Sequence, residues 1–393
     1  MAALRGDAGQ LSSGGGTRIA SPQFLLLWSS TFTFYLSFYL LLPVLPLYAR
    51  MLEIPEGQIG LIIGFFAVSS MVIKPLAGWG ADRRGRKPIL LAGATLFLVS
   101  PLLYPWSRTV AALLGVRLLH GAGMGFYPAA GAAMVADLSP PARRGEAMGF
   151  WGAAGSVALA MGPLCAIWIV DRWGFDALFH VSAAVALSAL LLTAANRETL
   201  LTRVASRFAW GSLLSRAVAL PCVVVFCLMT TYGAQIAFLA IYAQSRGANP
   251  GIFFLVMAAV IALARGYAGL VSDRVGRAPV AAAGLVVAAI ALVVLASGGG
   301  MAALAAAGAL HGLGLGATQP ATMAWAADLV RPDERGKALG TFYAAFELGI
   351  ATGAIGFGAV LARSSFPVMF LTAAAVAVTG AALGMSRWKP RTD

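Results

Sequence analysis

Charge is scarce in this sequence. Only 11% of the 393 residues are Asp, Glu, Lys or Arg, against about 25% in a soluble globular chain, so no large soluble domain fits. Histidine is as rare, and His120, His180 and His311 stand on separate apolar runs without metal-site or catalytic-triad spacing. No metal, cofactor or enzyme activity is expected from them. The three cysteines, Cys165, Cys222 and Cys227, are odd in number and unpaired in spacing, which excludes a disulfide framework and a zinc site and leaves them as small packing residues. A Gly-x-x-x-x-Gly-Lys-Ser/Thr loop is missing, so nothing here hydrolyses ATP; any driving force must come from an ion or solute gradient. Residues 1–21 lack the apolar core and cleavage site of a signal peptide and are expected to form a flexible cytoplasmic tail.

What fills the chain instead is apolar sequence, 60% of residues, with a mean hydropathy of +0.83. Apolar runs long enough for a membrane helix of roughly 20 residues recur through 22–195 and again through 217–386. The expectation is an all-α membrane protein with twelve transmembrane helices. Its parts are an N-terminal six-helix bundle (22–195), a cytoplasmic linker (196–216), a C-terminal six-helix bundle (217–386) and a cytoplasmic tail (387–393). With the N-terminus inside, the inner segments carry 20 basic residues and the outer loops five: Arg50, Arg108, Arg172, Arg246 and Arg363. That bias fixes both termini on the cytoplasmic side. It also accounts for the net charge of +13 without nucleic acid as a partner; the partner is the lipid bilayer. The remaining three cations, Lys74, Arg117 and Arg265, lie within predicted helices.

The chain repeats itself at an offset of 191 residues. KPLAGWGADRRGRKP at 74–88 aligns with RGYAGLVSDRVGRAP at 265–279, and the 30 residues from His120 match those from His311 at 14 positions without a gap. The two bundles are therefore pseudosymmetric, related by an axis normal to the membrane, a plan that puts a binding site between the halves near mid-depth. One chain supplies both halves, so a monomer is expected. Gly121, Gly123 and Gly125 follow no strand, so they read as a helix-packing run rather than a dinucleotide loop.

These residues resemble the major facilitator superfamily from Pro22 onward. Its loop signature, Gly-x-x-x-Asp-Arg-x-Gly-Arg-Arg/Lys, matches Gly78, Asp82, Arg83, Gly85, Arg86 and Lys87 and recurs as Gly269, Asp273, Arg274, Gly276 and Arg277. RLLHGAGMG from Arg117 is similar to the Arg-x-x-x-Gly-x-Gly element of proton-coupled members. MGPLCA from Met161 resembles the Gly-Pro element of drug:proton antiporters, with Cys165 and Ala166 where that element has glycines. The resemblance implies a multi-pass protein of the bacterial cytoplasmic membrane working by alternating access. It implies proton-coupled efflux of small amphipathic or drug-like molecules. The alternative is an importer or facilitator of a small anionic or polar solute: a sugar, an organic acid or a siderophore-like metabolite. It further implies a conformational latch. Asp82 would face the start of the eleventh helix near Gly336, and Asp273 the start of the fifth near Gly145. Arg83, Arg86, Arg144, Arg274, Arg277 and Arg335 would be latch partners or ordinary inside-facing anchors. Tyr35, Tyr39, Tyr232 and Gln235 would line the substrate cavity or pack at helix interfaces.

Of 15 acids, only Glu347 lies at mid-depth. It sits about eleven residues into its helix, roughly 16 Å, half of a hydrocarbon core of about 30 Å. A carboxylate is costly there and is kept for function. Glu347 is thus a site for the proton or a substrate cation, or else a group that holds helices by hydrogen bonds. Arg117 complements it, as an anion site, a coupling partner or a lock on backbone carbonyls. Gly162 and Pro163 mark a hinge or seal in the fifth helix, since proline removes a backbone hydrogen bond.

Overall fold

A computed structural model of the chain describes residues 21–140, 143–200, 214–331 and 334–386. The two predicted tails, apart from Ser21, and most of the predicted linker lie outside them. The first apolar run bends at Leu42–Pro43 into α1 (Pro22–Leu41) and α2 (Val44–Met51). There follow α3 (Glu56–Arg84), α4 (Arg86–Leu103) and α5 (Val110–Leu138). Next comes α6 (Arg144–Ala195), a 52-residue element broken by Gly174 at φ 80°. That is about 78 Å of helix at 1.5 Å per residue, more than twice a bilayer core, and it takes up the predicted fifth and sixth helices together.

The second half comprises α7 (Ala219–Ser245), α8 (Gly251–Val275), α9 (Arg277–Ala296), α10 (Met301–Asp328), α11 (Arg335–Leu361) and α12 (Phe366–Met385). Among the described residues ten helical stretches are long and apolar enough to cross a membrane. An eleventh joins them when α8, bent by 48° between Arg265 and Tyr267, is taken as one span.

Packing follows the repeat. In the first half α1 lies on α6, α3 and α4 on α5, and α4 on α6; in the second α7 lies on α11, α8 and α9 on α10, and α9 on α12. The halves meet where α3 crosses α11 and α8 crosses α6. Small residues bring these helices together. A Cβ on Gly121 would run into the carbonyl of Phe66, and one on its repeat mate Gly312 into that of Met257, which is the helix-packing role expected of the glycine run.

The two ends of the seam differ. At one end Gly60 of α3 lies against the backbone of Ala354 and Gly358 on α11, while its mate Gly251 of α8 lies against Leu164 of α6. At the other end Gly78, Gly145, Gly149, Gly269, Gly336 and Gly340 have open space where a Cβ would sit. The end carrying the loop motifs is open and the opposite end closed.

Candidate functional site

Glu347 is 6% exposed on α11, facing α3 across the seam. Lys74 of α3 forms an ion pair with its Oε1, and the Ser70 hydroxyl, one turn earlier, donates to the same oxygen at 3.3 Å. The ammonium also lies 5.8 Å from the Tyr343 ring centroid. The carboxylate is buried and the Lys74 side chain 25% exposed, so removing the cation leaves a buried charge without its partner. Because its members belong to different halves, it ties them together partway along α3 and α11.

Arg117 and Glu347 are not brought together. The Arg117 guanidinium is buried on α5, donating to the carbonyls of Ile62 at 3.1 Å and Ile63 at 3.3 Å, and it covers the Phe66 ring at 4.3 Å. Its repeat mate explains the arrangement. Gly308 of α10 lets that helix touch the carbonyl of Phe253, the mate of Ile62; in the first half Arg117 fills the corresponding gap with hydrogen bonds. Of the readings open for Arg117, the lock on backbone carbonyls is the one the contacts describe.

The tyrosines gather around the same space. Tyr35 lies within electrostatic reach of Glu347, Tyr39 and Tyr343, and Tyr232 within reach of Tyr39. Gln235 does not join them: it is fully buried inside the second half, its Nε2 3.0 Å from Nδ1 of His311. Residue type alone could not separate it from the tyrosines, and Tyr232, three positions earlier on α7, stacks on the same His311 ring at 6.1 Å.

The loop motifs build two matching clusters. Arg86 binds Asp82 at 2.6 Å and Asp137 at 3.1 Å; Arg277 binds Asp273 at 2.5 Å and Asp328 at 3.1 Å. The expected contacts of Asp82 with the start of α11 and of Asp273 with the start of α6 are not made. This end of the seam is open, so each aspartate turns to the arginine four residues on. Gly78 and Gly269 likewise pack against nothing here. Gly85 (φ 120°) and Gly276 (φ 108°) make the turns into α4 and α9 in a backbone region closed to most residues. The other arginines serve separately: Arg83 stacks 5.2 Å from the Trp79 ring, Arg144 donates to the Ala136 carbonyl at 3.2 Å, and Arg274 and Arg335 are exposed.

Glu198, just past α6, accepts from the backbone N–H groups of Arg86 (2.9 Å) and Lys87 (3.0 Å), capping α4. Partial burial pushes its carboxyl up, but four backbone donors, including those of Leu200 and Thr199, outweigh that and hold it below the usual carboxylate range.

The predicted hinge takes another form. The backbone stays helical through Gly162 and Pro163, and the break in α6 is at Gly174. Gly162 instead lets α6 touch Tyr39 and Leu40 of α1, as its mate Gly353 lets α11 touch Thr230 of α7. Both are crossing points. Among the described residues no group of three or more His, Cys, Asp or Glu could hold a metal ion.

Lys74 was missed as a site residue. The available signal was its place in the sequence: an intramembrane cation whose repeat mate, Arg265, is also a cation.

Known proteins place the arrangement. An uncharacterized MFS-type transporter of Methanocaldococcus jannaschii is 22% identical over 85% of this chain and 89% of its own length. Multidrug resistance protein 2 of Bacillus subtilis is 28% identical over 42% of this chain and 41% of its length. Quinolone resistance protein NorA of Staphylococcus aureus is 32% identical over 30% of this chain and 31% of its length. Among solved structures, a mutant form of the nucleoside transporter NupG superposes with a TM-score of 0.81 at 16% identity, covering 93% of this chain and all of that one. The human organic anion transporter MFSD10 superposes at 0.69 with 20% identity, again over 93% and 100%. The model of the Major Facilitator Superfamily matches residues 27–264 and 247–393, and the chain belongs to that family of membrane transporters.

Proposed function

We propose that this protein is a proton-coupled secondary transporter that moves small amphipathic molecules across the bacterial cytoplasmic membrane by rocking two six-helix halves. Glu347 carries the proton. The observation behind this is its ion pair with Lys74, the tie between the halves. A proton on Glu347 removes the negative charge and releases Lys74; loss of the proton restores the pair. Counting α1 with α2 as one span and α6 as two gives twelve spans in a monomer. The basic bias of the loops puts the open end and both termini in the cytoplasm, so the state described is inward-open. Closing that end would bring Gly78 and Gly269 against their partners and let Asp82 and Asp273 meet the starts of α11 and α6, where helix N-termini favour a carboxylate.

Export is the direction favoured by the names of the resistance relatives. A second reading, uptake of a small anionic solute, is favoured by Arg265, a cation within a helix whose guanidinium meets only the neutral amide of Gln319 among the described residues. One experiment addresses both: accumulation of a panel of anionic and cationic dyes in cells producing wild type or Glu347→Gln, with and without a protonophore. Export predicts lower accumulation with the wild type, abolished by the protonophore and by the substitution at equal protein levels in the membrane; higher accumulation supports uptake. Protonophore-sensitive transport that persists in Glu347→Gln refutes the role of Glu347.

A further inference from the structure

The repeat gives the second half a counterpart of Lys74 but no counterpart of its carboxylate. An offset of 191 residues carries Lys74 onto Arg265 and Glu347 onto Ser156. Lys74 of α3 finds Glu347 on α11; the same symmetry sets Arg265 of α8 across from Ser156 on α6, and those two helices form the matching crossing. Arg265 is exposed. Among the described residues its guanidinium donates to the neutral amide oxygen of Gln319 on α10 at 3.2 Å and meets no carboxylate. It lies on α8, the helix that crosses α6, and acts electrostatically on Tyr39 of α1 and Tyr343 of α11. Tyr343 is 40% exposed, and its hydroxyl leans on the sulfur of Met323, one turn along α10 from Gln319.

A guanidinium at membrane depth is costly without a counter-anion. It presents two parallel donors matched to a carboxylate. Tyr39 and Tyr343, with Tyr35 stacked on Tyr39 at 6.1 Å, provide ring faces and edges for an aromatic body. We propose that Arg265, steadied by Gln319, binds the carboxylate of an amphipathic aromatic acid, the cargo taking in the second half the position that Glu347 takes in the first. This rests on the transport function proposed above but not on Glu347 being the proton site.

The test is equilibrium binding to the purified full-length protein by isothermal titration calorimetry. Three probes share one ring system and differ in head charge: 2-naphthoate, 2-naphthamide and 2-naphthylmethylamine. The expected result is naphthoate binding at least tenfold tighter than naphthamide, and tighter still than the amine. Arg265→Gln should bring naphthoate to within about twofold of the amide while the amide affinity and the melting temperature hold; Arg265→Lys should keep part of the preference. Glu347→Gln, which frees Lys74, should bind naphthoate over naphthamide by at least the wild-type margin, and adding Arg265→Gln should lower that margin, so failure of the proton assignment leaves this result standing. Equal or tighter binding of the amine overturns the proposal, as does an anion preference that survives Arg265→Gln, or binding of none of the three probes.

Discussion

Adding one methyl group at Gly60 should open the closed end. The Cβ of Gly60→Ala would run into the carbonyl oxygen of Ala354 and lie 3.2 Å from the Gly358 Cα, backbone on both counts, so no side chain can swing away. Forcing a methyl into such a contact costs about 1–3 kcal/mol. The gain in helix propensity from Gly to Ala, about 1 kcal/mol, is common to both conformations and drops out of their ratio. The closed-end population should therefore fall by roughly five- to a hundredfold, at 1.4 kcal/mol per factor of ten. Spin labels on Gln58→Cys and Arg363→Cys, in a background whose three native cysteines are alanine, would report the separation of α3 and α11 at that end. Gly60→Ala should add a long-distance population. Gly78→Ala, at the other end of α3 with open space around it, should not. An unchanged distance distribution in Gly60→Ala, or the same lengthening in Gly78→Ala, would refute the assignment of the seam.

Lys74→Met should cost about 3–5 kcal/mol of stability by leaving a buried carboxylate without its cation. Adding Glu347→Gln should recover most of that; additive losses in thermal melts would mean the two side chains do not depend on each other. Glu198 gives a pH signature. Its carboxyl is held below the usual range, so its docking stabilises the fold fully above the unfolded value of about 4.3 and loses that contribution as pH falls through the lower folded value. Melting temperatures of wild type and Glu198→Gln should differ by a constant amount above about pH 5 and converge below it; a gap that widens in acid contradicts the capping geometry.

The helical runs, the twofold repeat and the loop motifs were legible because each leaves a local mark: run length, offset, motif. So did the depth of Glu347, which follows from counting residues along one helix. Its partner did not. Lys74 lies 273 positions away, and which helices face each other across the seam is a tertiary fact. Gln235 stayed open between cavity and helix interface for the same reason, since α7 is buried nearly all round and its polar residues offer no periodicity to divide cavity from core. Arg117 was ambiguous until Gly308, its mate, showed the gap it fills. Pro163 marked a hinge or a seal, and what the sequence did not tell is that Gly162 beside it packs α6 against Tyr39 and Leu40 of α1.

Arg86 and Arg277 each hold two carboxylates drawn from their own half. Parting the halves at that end therefore strands no ion: every motif aspartate has a cation within four residues whether or not the opposite bundle is near. An interface held by cross-bundle salt bridges would have to strip several charges of their partners at each opening, and the two conformations would differ by many multiples of thermal energy. Among the described residues the ion pair that joins the halves is that of Lys74 with Glu347, and in the proposed cycle a proton on Glu347 undoes it. In that cycle the work of switching is concentrated at one titratable atom, while the motif clusters keep their own counter-ions whether the end is open or closed.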